Sequence, residues 1–172
     1  MDSRIKGLLS NISKGDIDAL GELYDITAER IFNYAHVILR NKEFAEDVTH
    51  DVFLQIHQQA FRVAKVSNPM GYIMIMVRNR AYNQTRVERR KSLSLYEVPE
   101  TYVNEQLDDR IMLETALSKL PAVQREAIYL HLICGYTHKE TAAIVNAPVV
   151  TIKWRYGNAI KKLKELMKQD DS

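Results

Sequence analysis

The chain is predicted to be all-α: two small helical domains joined by a flexible acidic linker, the C-terminal one containing a helix-turn-helix. Three observations predict this. Apolar residues recur at helical spacing along most of the 172 residues, without a convincing two-residue alternation. Residues 92–107 break that spacing with Ser92, Ser94, Pro99, Asn104 and scattered acids, and such a length is unusual for a loop inside one domain. Finally, residues 136–155 contain a capped short helix, a turn residue and a second helix with a basic outer face.

The first predicted helix covers about residues 16–39, with Leu20, Leu23, Tyr24, Ala28, Ile31, Ala35 and Ile38 on one face. A second, about 42–60, follows Asn41 and carries Glu43 in its first turn, where an acid is favourable. Its apolar stripe is Phe44, Val48, Val52 and Ile56, while Asp47, His50, Asp51 and Gln55 lie off it. Asn68-Pro69 marks a third start, Asn as cap and Pro at the first helical position. Its buried side is Ile73, Met76, Val77 and Ala81, and it extends to about Arg90. After the linker, helices resume as Ile111 to Lys119 and Pro121 to Ile133. The expected boundaries are therefore 1–91, 92–107 and 108–172.

Thr137 and Glu140 have the spacing of a capping box, and Thr141, Ala142 and Val145 supply a small apolar face. Asn146 stands where the chain must turn, a residue that tolerates the left-handed conformation. Beyond Pro148, the positions Ile152, Tyr156, Ala159, Leu163 and Leu166 bury one side of a helix. The other side shows Thr151, Trp154, Arg155, Asn158, Lys161 and Lys162. A helix-turn-helix of this kind usually lays its second helix in the major groove of DNA.

Composition is that of a soluble globular protein, 46% hydrophobic and 27% charged, with no run of the roughly 20 apolar residues that span a membrane. The N-terminus lacks the apolar stretch of a secretory signal. Cys134, the single cysteine, excludes an internal disulfide, fits a reducing cytoplasm, and reads as a core thiol beside Leu132 and Ile133. The net charge of +2 conceals strong segregation. Residues 1–60 carry −4, 61–91 carry +7, 92–118 carry −5 and 119–168 carry +6. Two basic blocks around an acidic one suggest two contacts with a polyanion.

Within the first basic block, Asn79, Asn83, Arg86 and Arg90 share a helix face, with Arg78, Tyr82 and Arg89 on a neighbouring stripe. Arginines interleaved with an aromatic and amides suit single-stranded nucleic acid, because cations follow the backbone while ring and amides receive unstacked bases. Catalysis is not expected. His36, His50, His57, His131 and His138 make no metal-binding spacing, the six glycines form no phosphate loop, and no nucleophile elbow is present. Neither a metal nor another cofactor is called for.

Three segments together resemble bacterial sigma factors of RNA polymerase, in the compact extracytoplasmic-function group. Ala45 to Leu54 is similar to the helix that binds core polymerase; Asn68 to Tyr72 and Val77 to Lys91 are similar to the segment that melts and reads the −10 element. Leu120-Pro121, Arg125 and the helix-turn-helix through Arg155 resemble the domain that reads the −35 element. The resemblance implies a polymerase-docking set of Asp47, His50, Asp51 and Phe53. It implies a −10 set of Tyr72, Arg78, Asn79, Tyr82, Asn83, Arg86, Arg89, Arg90 and Lys91. It further implies a −35 set of Thr137, Lys139, Thr151, Lys153, Trp154, Arg155, Asn158, Lys161 and Lys162. The implied partners are core RNA polymerase, promoter DNA and an anti-sigma factor of the kind common in the family, with no membrane insertion. The family pattern is departed from at Asn146 and Val150, both commonly Gly, at Asn158-Ala159, often Arg-Ala, and at Tyr72, often Trp. The alternative is a conventional helix-turn-helix regulator that binds a duplex operator without polymerase, a reading that leaves the Arg/Asn/Tyr face without a role.

Overall fold

The computed structural model describes residues 2–92 and 115–170, which form helices and connecting turns with no strand among them. The chain divides into two compact units, one made of Met1–Thr85 with Ala143–Asn146 and the other of Arg86–Ala142 and Ala147–Ser172.

The first unit starts with a helix that the sequence reading passed over, α1 (Asp2–Ile12). Ile5, Leu8, Leu9 and Ile12 recur at helical spacing and are buried against α2 (Ile17–Leu39) and α3 (Lys42–Ala64). Asp16 caps α2 by accepting from the Ala19 N–H at 3.1 Å, and Asn41 caps α3 through the Phe44 N–H at 2.9 Å. Between those helices the chain reverses at Arg40, whose φ of 53° places a non-glycine residue in the left-handed region. α3 runs past the expected residue 60 to Ala64, with non-helical dihedrals at Gln59. Tyr24, expected in the core, is 44% exposed and rests against Phe53 with ring centroids 4.7 Å apart.

α4 (Pro69–Ser92) starts as the Asn-Pro pair predicts, Asn68 Oδ1 accepting from the Gly71 N–H at 2.7 Å. A Cβ at Gly71 would lie 2.8 Å from Asn68 Nδ2, so a larger residue there would push the capping amide out of its present position. Ile73, Met76, Val77 and Ala81 are all buried, as their spacing predicts.

Of the expected linker, only Ser92 falls within the described residues. In the second unit the expected 111–119 helix is described from residue 115 onward, as a helical turn over 115–118. α5 (Ala122–Ile128) then passes into a π-helical turn, Tyr129–Ile133, closed by the Cys134 N–H to Tyr129 carbonyl bond at 2.9 Å. The wider turn shifts the helical register. It leaves Leu132 57% and Ile133 50% exposed, with Cys134 half-buried, so the core-thiol reading of Cys134 is corrected. α6 (His138–Val145) and α7 (Val149–Asp170) complete the unit. Ile128, Ala159 and Leu163 join Ala116, Leu117 and Leu120 in its core, with Tyr156 packed alongside.

Candidate polymerase and nucleic-acid interfaces

Asp47, His50 and Asp51 are exposed on α3, because Val48, Val52 and Ile56 take the buried side of the same helix. Phe53 differs from the other three: it is 7% exposed and packs under Tyr24, so it props the face from beneath instead of forming it. Arg80 of α4, which sequence reasoning missed, reaches this acidic surface. It donates to Asp51 Oδ2 at 3.1 Å and to Gln55 Oε1 at 3.3 Å. Its position one residue from Asn79 left it off both predicted stripes, and only the packing of α4 beside α3 brings it there. Glu46, Asp47, His50, Asp51 and Gln84 line a shallow cleft at the same place.

Along α4 the cationic face is continuous. Asn79, Asn83, Arg86, Arg89, Arg90 and Lys91 are exposed, while Tyr72, Arg78 and Tyr82 are half-buried. The Arg78 guanidinium lies 4.5 Å from the Tyr82 ring centroid, a cation–π contact that covers one face of the ring. Lys91 pairs with Glu88 at 3.1 Å.

The helix-turn-helix has the local chemistry its sequence predicts. Glu140 accepts from both the N–H and the hydroxyl of Thr137 at 2.8 Å, and the Thr137 oxygen accepts from the Glu140 N–H at 3.2 Å. The Thr137 backbone donor first, and its hydroxyl second, hold the Glu140 carboxyl below its usual range. Thr137 is thus engaged as a cap, and any phosphate contact must compete for its hydroxyl proton. Asn146 has φ of 53°, and the following Ala147 N–H returns to the Ala142 carbonyl at 3.0 Å, closing the turn. Lys139, Lys153, Trp154, Lys161 and Lys162 are exposed; Thr151, Arg155 and Asn158 are half-buried.

Arg125, read as part of the −35 domain, is buried and donates to the Leu120 carbonyl at 3.0 Å, joining the turn before α5 to its first turn. A second feature escaped sequence reasoning. His131 and His138, seven residues apart in sequence, stack with centroids 3.9 Å apart, and Tyr156 meets them edge-on at 4.7 and 5.3 Å. His131 Nδ1 lies 2.6 Å from the Tyr136 carbonyl oxygen, which only accepts, so that nitrogen carries the proton. Burial, then the His131 ring, then the Lys153 ammonium push the His138 imidazole below its ordinary pKa. Among the described residues no group of three or more His, Cys, Asp or Glu side chains is placed to hold a metal ion.

Known proteins match this layout. The family described as Sigma-70 region 2 matches residues 23–91, and the one described as Sigma-70, region 4 matches residues 110–163, so that between them they span most of the chain. The ECF RNA polymerase sigma factor SigK of Mycobacterium sp. (strain JLS) is 28% identical over 171 residues, covering 93% of this chain and 89% of that protein. SigK of Mycolicibacterium vanbaalenii is 27% identical over 176 residues, covering 96% and 90%. Among solved structures, the sigma factor RpoE in complex with the anti-sigma factor NepR from Bartonella quintana superposes with a TM-score of 0.77 at 24% identity, over 86% of this chain and 96% of that one. CnrH, in complex with the cytosolic domain of CnrY, gives 0.68 at 22%, over 97% and 99%. The chain belongs to the sigma-70 family of bacterial RNA polymerase sigma factors. Within that family it is of the extracytoplasmic-function (ECF) group, and it binds core RNA polymerase and directs promoter recognition and transcription initiation. The operator-binding regulator is not the reading these matches favour.

Proposed function

We propose that each of the three surfaces performs one step of initiation, and that the chain contributes binding without chemistry of its own. Residues 1–91 are region 2: Asp47, His50 and Asp51 dock on a basic surface of core polymerase, with Phe53 fixing the helix behind them. The α4 face, from Tyr72 to Lys91, captures the non-template strand of the opened −10 element, its cations following phosphate and its Arg78–Tyr82 pair receiving a base. Residues 92–107 link the two domains. Residues 108–172 are region 4, in which α7 enters the −35 major groove with Lys153, Trp154, Arg155 and Asn158 toward base edges. Thr137, Lys139, Thr151, Lys161 and Lys162 sit nearer phosphate. The observation that carries this reading is the order of surfaces in one chain: acidic face, cationic helix, then capped helix-turn-helix.

No described helix is long and apolar enough to cross a membrane, and the proposed place of work is the cytoplasm, where polymerase acts. An anti-sigma protein is the further partner this reading supports, since the neighbour from Bartonella quintana was solved with the anti-sigma factor NepR. Reconstitution with core polymerase tests the whole: the complex forms and initiates from a cognate promoter. Failure to bind core, together with no promoter-dependent transcript, rejects it. Pull-down from a native extract, read by mass spectrometry, reports polymerase and inhibitor together.

A further inference from the structure

We propose that Val150 and Trp154 read thymine methyl groups in the −35 duplex. This rests on the assignment of α7 as the reading helix and adds the base chemistry it recognises. Val150 is 74% exposed and Trp154 63% exposed, although the same helix buries Ile152 and Ala159 on its other side. Standing four residues apart, they share one face, about 6 Å apart along the axis. That is near the rise of two base pairs, roughly 3.4 Å each.

The surroundings of the pair say what covers it. Residues 141–164 contain no acidic side chain, and Lys139, Lys153, Lys161 and Lys162 are exposed nearby in the motif. Such a field draws a polyanion and gives nothing to a purely apolar protein surface. The major groove offers one apolar feature, the C5-methyl of thymine, and the first turns of the second helix are the part that enters the groove. Val150 sits in the first turn of α7 and Trp154 in the next. Val150 is also β-branched, with few rotamers to lose on contact. Its presence where the family commonly has Gly gives this chain a methyl-reading group that Gly cannot supply.

The test uses holoenzyme reconstituted from the full chain and core polymerase, on a promoter selected from a library randomised across the −35 element. Each −35 thymine is replaced singly by deoxyuridine, which lacks only the methyl group. At one or two thymines open-complex formation falls about fourfold, the weight of one methyl group leaving water. Val150→Ala abolishes the sensitivity at one of these positions, Trp154→Ala at the other, and Val150→Thr, which keeps one γ-methyl and the branched shape, retains it. Circular dichroism confirms that the variants fold. Normal transcription with no deoxyuridine effect at any position overturns the proposal and leaves the assigned function standing. Sensitivity that survives both alanine variants overturns it as well. Absence of any promoter-dependent transcript from the library overturns the function and the proposal together.

Discussion

Arg80 of α4 holds Asp51 of α3 at 3.1 Å, so one of the acids proposed to dock on polymerase already carries a cation from its own domain. Both side chains are about half exposed, at 43% and 51%, and such a pair contributes no more than about 1 kcal/mol of stability. Arg80→Ala is therefore expected to leave the fold intact, with a melting shift of a few degrees at most. Asp47→Lys combined with Asp51→Lys reverses the sign of the face, and native gel mobility with core polymerase should show no holoenzyme. Retained DNA contacts in that double variant would show that the loss is specific to docking.

The Thr137–Glu140 box sets the entry to α6. Thr137→Val removes the hydroxyl that both accepts from Glu140 N–H and donates to its carboxylate, and costs about 1 kcal/mol. The folded state depresses the Glu140 pKa, so its contribution is complete above the ordinary carboxylate range and is lost as pH falls through the lower folded value. Glu140→Gln should flatten that part of the acid denaturation curve, as followed by circular dichroism.

His138 responds to pH at a higher range. Its folded pKa is lowered, chiefly by burial, so the unfolded chain binds the extra proton first. Stability is complete above the ordinary imidazole value of about 6.5 and declines as pH falls from there toward the folded value. The groups facing it are His131, Tyr156 and Lys153. Thermal melts of the wild type at mildly acidic and neutral pH should differ more than those of His138→Gln.

Gly157 lies inside α7, and a Cβ added there meets nothing within 4 Å. Gly157→Ala is expected to stabilise the helix by about 0.5–1 kcal/mol, because alanine has less backbone freedom to lose. Chemical denaturation measures it, and a neutral result would show that position 157 is not limiting.

Where neighbouring residues decide a feature, the sequence was sufficient. The caps at Asn41, Asn68 and Thr137, the left-handed Asn146 and the buried Ile73–Ala81 stripe need only local spacing, and the structure has each of them. Features that depend on tertiary packing were not legible. Phe53 falls next to the apolar stripe, and its burial beside Tyr24 of α2 depends on how two helices pack. Arg80 joins the acidic face through the packing of two helices, and His131 meets His138 through the π-helical turn that follows α5. α1 was readable from Ile5, Leu8, Leu9 and Ile12 but is short and interrupted by Gly7, which weakens the signal.

The recognised region 2 segment opens at residue 23, yet α1 ends well before it, at Ile12. A shortened chain trimmed to that family segment would strip a lid from α2 and α3 and bare an oily trench. Anyone dividing this factor into parts for crystals or binding work should retain the first dozen residues; a preparation without them is expected to clump before it meets polymerase.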